Sequence, residues 1–453
     1  MLSSALNNCN SDILYLRKFT IIALFIYFVM ALVYFLVGYR EPVPFYMESS
    51  RFMIFVYTTC MLMASYFNVS TKNLFIANAL FYLLLVIIIR YSYSHEGLDY
   101  FATAIDPYTY LEYAVKFGDE DLAIFLKKLS DIGFYRDDWG YFFVLRMLYK
   151  IYPDIYFIIY GAIFLNIIAI YISSIFLYKL QMLLTNSDLL SRVTSVFYSS
   201  SAFLVITTAN GLKEVIFLTF IIISMFYIYK TKYKFSYSSL FWALFSMSFC
   251  LFFRTAVFFM LFISLIIALT INSKNKKIYL IGIISALFLV GVLLPFVVNN
   301  LMDADLGQVT KTAEHRISIR GYKGAFYSQI VPLLSAIFGP FPNFDRVGDY
   351  AIIHSLTPFM KCFFSSMFVM GLYSIVRYLK EDYVPLVAYI FFSILMTVMS
   401  GVSLDMRYHL TYFPFFLMIS FNFIKKRKLL DYSYIFMAIG LIYFYSTRNV
   451  FGG

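Results

Sequence analysis

The chain has 453 residues, of which 62% are hydrophobic and only 13% charged. Soluble domains carry about 25% charged residues, so this composition excludes a water-soluble globular fold and points to lipid as the solvent. A net charge of +11 raises nucleic acid as a partner, but the placement of the basic residues gives that charge another origin.

Apolar runs long enough to span a bilayer recur near 19–38, 52–69, 74–92, 155–178, 191–209, 213–230, 237–253, 255–272, 278–299, 354–376, 383–402, 408–424 and 430–446. Helices satisfy every backbone group in lipid without a partner strand. The expected fold is therefore an all-α polytopic membrane protein of about thirteen transmembrane helices, one integral membrane domain over 1–453. The first run exceeds a secretory h-region of about 7–15 residues and reads as a span. The stretch 326–342 is apolar but short and ends in Gly339-Pro-Phe-Pro342, so it reads as a half-helix or re-entrant segment. Cysteines 9, 60, 250 and 362 form no disulfide or metal-binding pattern.

Orientation follows from Lys and Arg in the short connections. With the N-terminus inside, the inner turns hold Arg17, Lys18, Lys72, Lys179, Arg192, Lys230, Lys232, Lys234, Lys274, Lys276, Lys277, Arg377, Lys380 and the run Lys425-Lys-Arg-Lys428, with few acids. The positive charge is thus topological and needs no nucleic acid. Two large outer loops result, 93–154 and 300–353. In the first, Leu122–Leu129 and Tyr141–Tyr152 have the apolar spacing of amphipathic interfacial helices. No inner domain and no nucleotide-binding motif is present, so function is expected on the outer face.

The candidate site residues follow in chain order. Asp99, Asp106, Asp131, Asp137 and Asp138 fall in the first outer loop, where most are solvated; the pair Asp137-Asp138 is a weak signal for a divalent cation. Asn210-Gly-Leu-Lys-Glu214 opens the sixth span. Glu214 complements a helix N-terminus, whereas the same dipole disfavours Lys213. Arg254 stands in Phe252-Phe-Arg-Thr-Ala-Val-Phe-Phe259 with almost no loop around it. It either snorkels to headgroups or binds phosphate through its fork of donors. In His315-Arg-Ile-Ser-Ile-Arg-Gly-Tyr322, Arg316 and Arg320 share a helix face. They bind an anion between them or are paired by Asp303, Asp305 and Glu314. Asp405, Arg407 and His409 precede span twelve; an ion pair and a satisfied interfacial histidine are the plain reading.

Cations for a pyrophosphate, tyrosines for sugar rings and an apolar groove for a polyprenyl chain would together hold a lipid-pyrophosphate saccharide. At Asp106-Pro-Tyr-Thr-Tyr-Leu-Glu-Tyr113, Ile132-Gly-Phe134, Trp139-Gly-Tyr-Phe-Phe143, Gly211-Leu-Lys-Glu214, Arg254-Thr255 and Phe338-Gly-Pro-Phe-Pro342 the chain resembles the Wzy-type O-antigen and capsule repeat-unit polymerases and their EpsG-like relatives. The resemblance implies a GT-C-type glycosyltransferase, independent of metal and cofactor, in the bacterial inner membrane, with the N-terminus cytoplasmic and the C-terminus periplasmic. Its substrates would be undecaprenyl-pyrophosphate-linked oligosaccharides, and a chain-length regulator protein would be a partner. Arg254, Arg316 and Arg320 would be catalytic. His315 and Asp106 are the weak candidates for a base, and Lys213, Glu214, Tyr322, Arg407 and Tyr110 would bind substrate. Relatives often carry Arg at the place of Lys213. An O-antigen ligase or another lipid-linked-sugar glycosyltransferase is a second expectation. A flippase or transporter is a third, disfavoured because the spans look nearly free of charge and no internal repeat is evident.

Overall fold

The computed structural model describes residue 21 and residues 45–67, 69–95, 105–134, 136–271, 325–338, 351–378, 380–399 and 406–422. Among these residues every regular element is helical. In order they are α1 (Phe45–Tyr66), α2 (Thr71–His95), α3 (Ile105–Lys116), α4 (Leu122–Asp131), α5 (Arg136–Ile151), α6 (Ile155–Thr185), α7 (Asp188–Ser199) and α8 (Ala202–Ala209). There follow α9 (Glu214–Tyr233), α10 (Tyr237–Cys250), α11 (Thr255–Ile271), α12 (Ala325–Phe338), α13 (Ala351–Arg377), a 3-10 turn (Glu381–Tyr383), α14 (Val384–Met399), α15 (Met406–His409) and α16 (Phe413–Asn422).

Among the described residues four stretches are long and apolar enough to cross a membrane: Thr71–Tyr91, Ile155–Thr185, Glu214–Tyr233 and Glu381–Met399. The bent pair α7–α8 makes a fifth if it is one span. This is a helical protein with the length and apolarity of a membrane protein. The runs expected near 19–38, 278–299 and 430–446 lie, but for residue 21, outside the described residues.

The expected single span at 191–209 is instead broken, with 47° between α7 and α8. The break falls at Ser199-Ser200-Ser201, where serine side chains compete for backbone groups. Thr58 Oγ1 on α1 donates to the freed Ser200 carbonyl at 3.1 Å, the kind of repair that lets a helix break inside an apolar bundle.

Helix α9 is the central strut. It packs on α6, α10 and α11, through Phe220 stacked on Phe249 at 4.6 Å. Thr219 Oγ1 donates to Ala169 O at 2.9 Å, and Ser224 and Ser246 meet at 2.9 Å. Small polar contacts of this kind add to close packing where lipid supplies no hydrophobic drive between helices. Its 20 residues correspond to about 30 Å, the thickness of a hydrocarbon core. Glu214 lies at one end. At the other, Lys232 Nζ is 2.8 Å from Asp382 and donates to Glu381 O at 3.2 Å.

Among the described residues of 93–154, the two stretches with amphipathic spacing lie in helices α4 and α5. Helices α4 and α5 turn Phe125, Leu129, Tyr141, Phe142 and Leu145 inward and leave Leu122, Ile124, Phe143, Met147 and Ile151 exposed. Helices α5 and α6 form a hairpin joined at 152–154. Gly140 is the point of closest approach: its N–H donates to Phe252 O at 2.8 Å. A Cβ there would come within 2.7 Å of the Phe253 ring and 3.0 Å of the Phe252 carbonyl. Gly140→Val should therefore push α5 off the α10–α11 turn and cost about 1–3 kcal/mol, as overpacking does. The check is the temperature at which the detergent-solubilised chain loses its monodisperse elution peak.

The stretch 326–342 holds α12, 14 residues long with Pro332 inside; Gly339-Pro-Phe-Pro342 lies outside the described residues. One expectation is corrected. The apolar runs are not nearly free of charge, since Lys361 on α13 is 0% exposed and Arg90 on α2 is 2% exposed. A single basic residue hardly alters the hydropathy of a window of apolar neighbours, so both escape a reading by runs.

Candidate functional site

The turn between α8 and α9 is built to stop one helix and start another. Gly211 sits at φ 61°, in the left-handed region that glycine enters at no steric cost. Its N–H donates to Thr208 O at 2.9 Å and the Leu212 N–H to Thr207 O at 3.0 Å, the paired bonds of a Schellman C-cap. Asn166 Nδ2 donates to Leu212 O at 3.0 Å, fixing the turn against α6. Glu214 is then the first residue of α9, where the helix dipole favours an acid.

Arg254 occupies the tight connection between α10 and α11. Its N–H donates to Cys250 O at 2.8 Å, and its carbonyl accepts from Val257 N at 3.0 Å, so the root of the side chain is fixed by both helices. The guanidinium lies 3.8 Å from Glu214 Oε1 and 4.2 Å from the centre of the Tyr408 ring. It is directed at side chains of α9 and α15, which argues against simple snorkelling. Arg407, beside Tyr408 on the one-turn helix α15, completes a narrow cleft lined by Glu214, Phe217, Leu218, Arg254, Arg407, Leu410 and Thr411. Among the described residues the lining carries two guanidiniums and one carboxylate. Glu214 Oε2 is buried there and has no hydrogen-bond partner among the described residues. Tyr141 is close enough to feel this carboxylate: burial first, and the charge of Glu214 second, raise its phenol well above the usual range.

Lys213 points away from Glu214 to Asp138 on α5, with which it forms a close ion pair. Tyr110 Oη on α3 donates to the same Asp138 oxygen at 2.9 Å, and the Lys213 ammonium lies 5.2 Å from the centre of the Tyr110 ring. Among these residues, then, Lys213 and Tyr110 clamp the loop helices to the start of α9. Because Lys213 is only 9% exposed, Asp138→Ala should strand a buried charge and cost about 3–5 kcal/mol. Adding Lys213→Met should recover part of that loss, and thermal stability of the two variants in detergent is the check.

Of the residues singled out in the sequence, Arg254, Glu214 and Arg407 come together, while Lys213 and Tyr110 gather one helix away. Asp106 lies in the first turn of α3. His315, Arg316, Arg320, Tyr322 and Asp405 lie outside the described residues. Among the described residues, no group of three or more His, Cys, Asp or Glu could hold a metal ion; Asp138 pairs with Lys213.

Comparison with protein-family models, curated proteins and solved structures finds no match to this chain. The functional argument therefore rests on the site itself.

Sequence reasoning missed a second polar group beside the cleft. Lys361 Nζ donates to Ala336 O at 2.8 Å and meets His409 Nδ1 at 2.7 Å. Tyr412 Oη donates to Ala336 O at 2.7 Å and lies 2.8 Å from the same His409 nitrogen. Ser365 Oγ donates to Ile337 O at 2.9 Å. These side chains satisfy the last carbonyls of α12, and a cation at a helix C-terminus also complements the dipole. A neutral His409 that accepts at Nδ1 fits beside the Lys361 ammonium. His409 is thus a satisfied histidine, as expected, but fully buried at 0% exposure. Its neighbours on α15 are Tyr408 and Arg407, so the group anchors the helix that brings Arg407 to the cleft and Tyr408 to Arg254. Lone Lys361 in an apolar run was the available signal.

Proposed function

We propose that the chain is a glycosyltransferase that joins undecaprenyl-pyrophosphate-linked oligosaccharide repeat units into O-antigen or capsular polysaccharide at the periplasmic face of the bacterial inner membrane. The observation that carries this reading is the convergence of Arg254 and Arg407 with buried Glu214 on one cleft at the end of α9. Guanidinium forks suit phosphate oxygens. Charge develops on a pyrophosphate as it leaves a sugar, and donors already in place at that point lower the barrier. In a GT-C-type architecture of about thirteen spans, Arg316 and Arg320 would be further candidates for the pyrophosphate and Tyr322 for the glycan; all three lie outside the described residues. No metal or cofactor takes part, and a chain-length regulator would be the protein partner.

A ligase would use the same leaving group, and a flippase would also meet a lipid pyrophosphate. Buried Lys361 and Arg90 are the kind of intramembrane charge a transporter needs. For Lys361, however, the helix-end carbonyls of α12 already provide a structural reason. The test is deletion of the chain in its host followed by complementation, with surface glycan resolved by length. Loss of the polymerase should leave single repeat units on the surface. Polymer retained on the lipid carrier would instead indicate a ligase, and repeat units confined to the inner leaflet a flippase.

A further inference from the structure

We infer that Glu214 is the proton acceptor for the attacking sugar hydroxyl, the base that the sequence alone did not identify; this rests on the transferase reading above. Three observations bear on it. The Glu214 carboxylate is nearly fully buried, with 5% of the residue exposed, yet it faces the cleft lined by both arginines. Its Oε2 has no hydrogen-bond partner among the described residues, although a buried polar atom left unsatisfied costs about 1–3 kcal/mol. Its Oε1 stands 3.8 Å from Arg254, beyond hydrogen-bonding distance, so the arginine holds the charge without occupying the basic lone pairs. The cleft is closed to a water-sized molecule in this structure; where it opens, a carboxylate and a guanidinium separated in this way can be bridged by a group that donates to one and accepts from the other.

A sugar hydroxyl and a pyrophosphate oxygen are such a pair. In the step, the acceptor hydroxyl gives its proton to Glu214 Oε2 while its oxygen bonds to the anomeric carbon of the donor sugar. The bond from that carbon to the pyrophosphate oxygen breaks, and its electron pair leaves on undecaprenyl pyrophosphate beside Arg254 and Arg407. Glu214 then returns the proton to water. No oxidant, reductant or metal is required for the balance. A base of this kind contributes about 10²–10⁴ in rate.

The test uses the full-length chain in proteoliposomes, fed with lipid-linked oligosaccharides extracted from a host strain deleted for the chain. Glu214→Gly should slow ladder formation about a hundredfold or more, and sodium formate should restore the rate at least about tenfold by supplying a carboxylate in the vacated space. Formate should not help Arg254→Ala. Glu214→Gln, which keeps the shape, should elute like the wild type and be equally slow. Wild-type rates in either Glu214 variant, or no response to formate, would overturn the role of Glu214 while leaving the transferase reading intact. No ladder from the wild-type chain would overturn both.

Discussion

Arg254→Ala is expected to reduce surface glycan from a ladder to single repeat units, with lipid-linked repeat units accumulating behind the block. Removing one preorganised donor from developing negative charge costs about 10²–10³ in rate. Arg254 is placed to give an effect at the upper end. It is anchored by backbone bonds on both sides, and it stacks on Tyr408 at 4.2 Å, so little reorganisation is needed when charge appears. Arg254→Lys keeps the charge but loses the planar fork and the stacking, and should fall between the two. Tyr408→Leu should mimic part of the Lys defect by freeing the guanidinium. In a gel of surface glycan, a normal ladder from Arg254→Ala would remove Arg254 from the chemistry and leave it a structural contact of Glu214 and Tyr408.

Lys361→Met should give the largest loss of stability. It leaves the Ala336 carbonyl to Tyr412 alone and removes the donor to His409, both in a fully buried setting. Hydrogen bonds from a charged donor are worth about 1.5–3 kcal/mol each net of water, so losing both is expected to cost about 3–6 kcal/mol. The readout is a fall in the temperature at which the solubilised chain loses its monodisperse peak. Ser365→Ala, which also removes a bond to α12 but no charge, should cost less. Because α15 also carries Arg407 and Tyr408, Lys361→Met should lower transferase activity even where folded protein is recovered. Unchanged stability would mean that α12 is held by other contacts.

How legible this was in the sequence varies from residue to residue. The helical class was plain, because runs of apolar residues leave no other structure that satisfies the backbone in lipid. Amphipathic spacing gave α4 and α5, and the short apolar run before Gly339 gave α12. The site was half legible. Arg254 stood out against an apolar background, and Glu214 and Arg407 were marked as neighbours of span mouths. What the sequence could not supply was distance. Nothing in it joins Arg254 to Tyr408 or Lys213 to Asp138, since those pairs are side-chain contacts between residues far apart in the chain. Lys361 was lost for a different reason: averaging over a window hides one charge whose partners are backbone carbonyls of a distant helix. The break between α7 and α8 was hidden in the same way, its three serines sitting inside a run that is apolar on average.

The central claim is the transfer of a glycan from a lipid pyrophosphate, and reconstitution tests it most directly. The full-length chain in proteoliposomes, supplied with lipid-linked oligosaccharides from the deletion strain, should form a ladder and release one undecaprenyl pyrophosphate for each new linkage. Neither product should form with Arg254→Ala. A wild-type chain that releases no lipid pyrophosphate, or releases it without lengthening any glycan, would contradict the account.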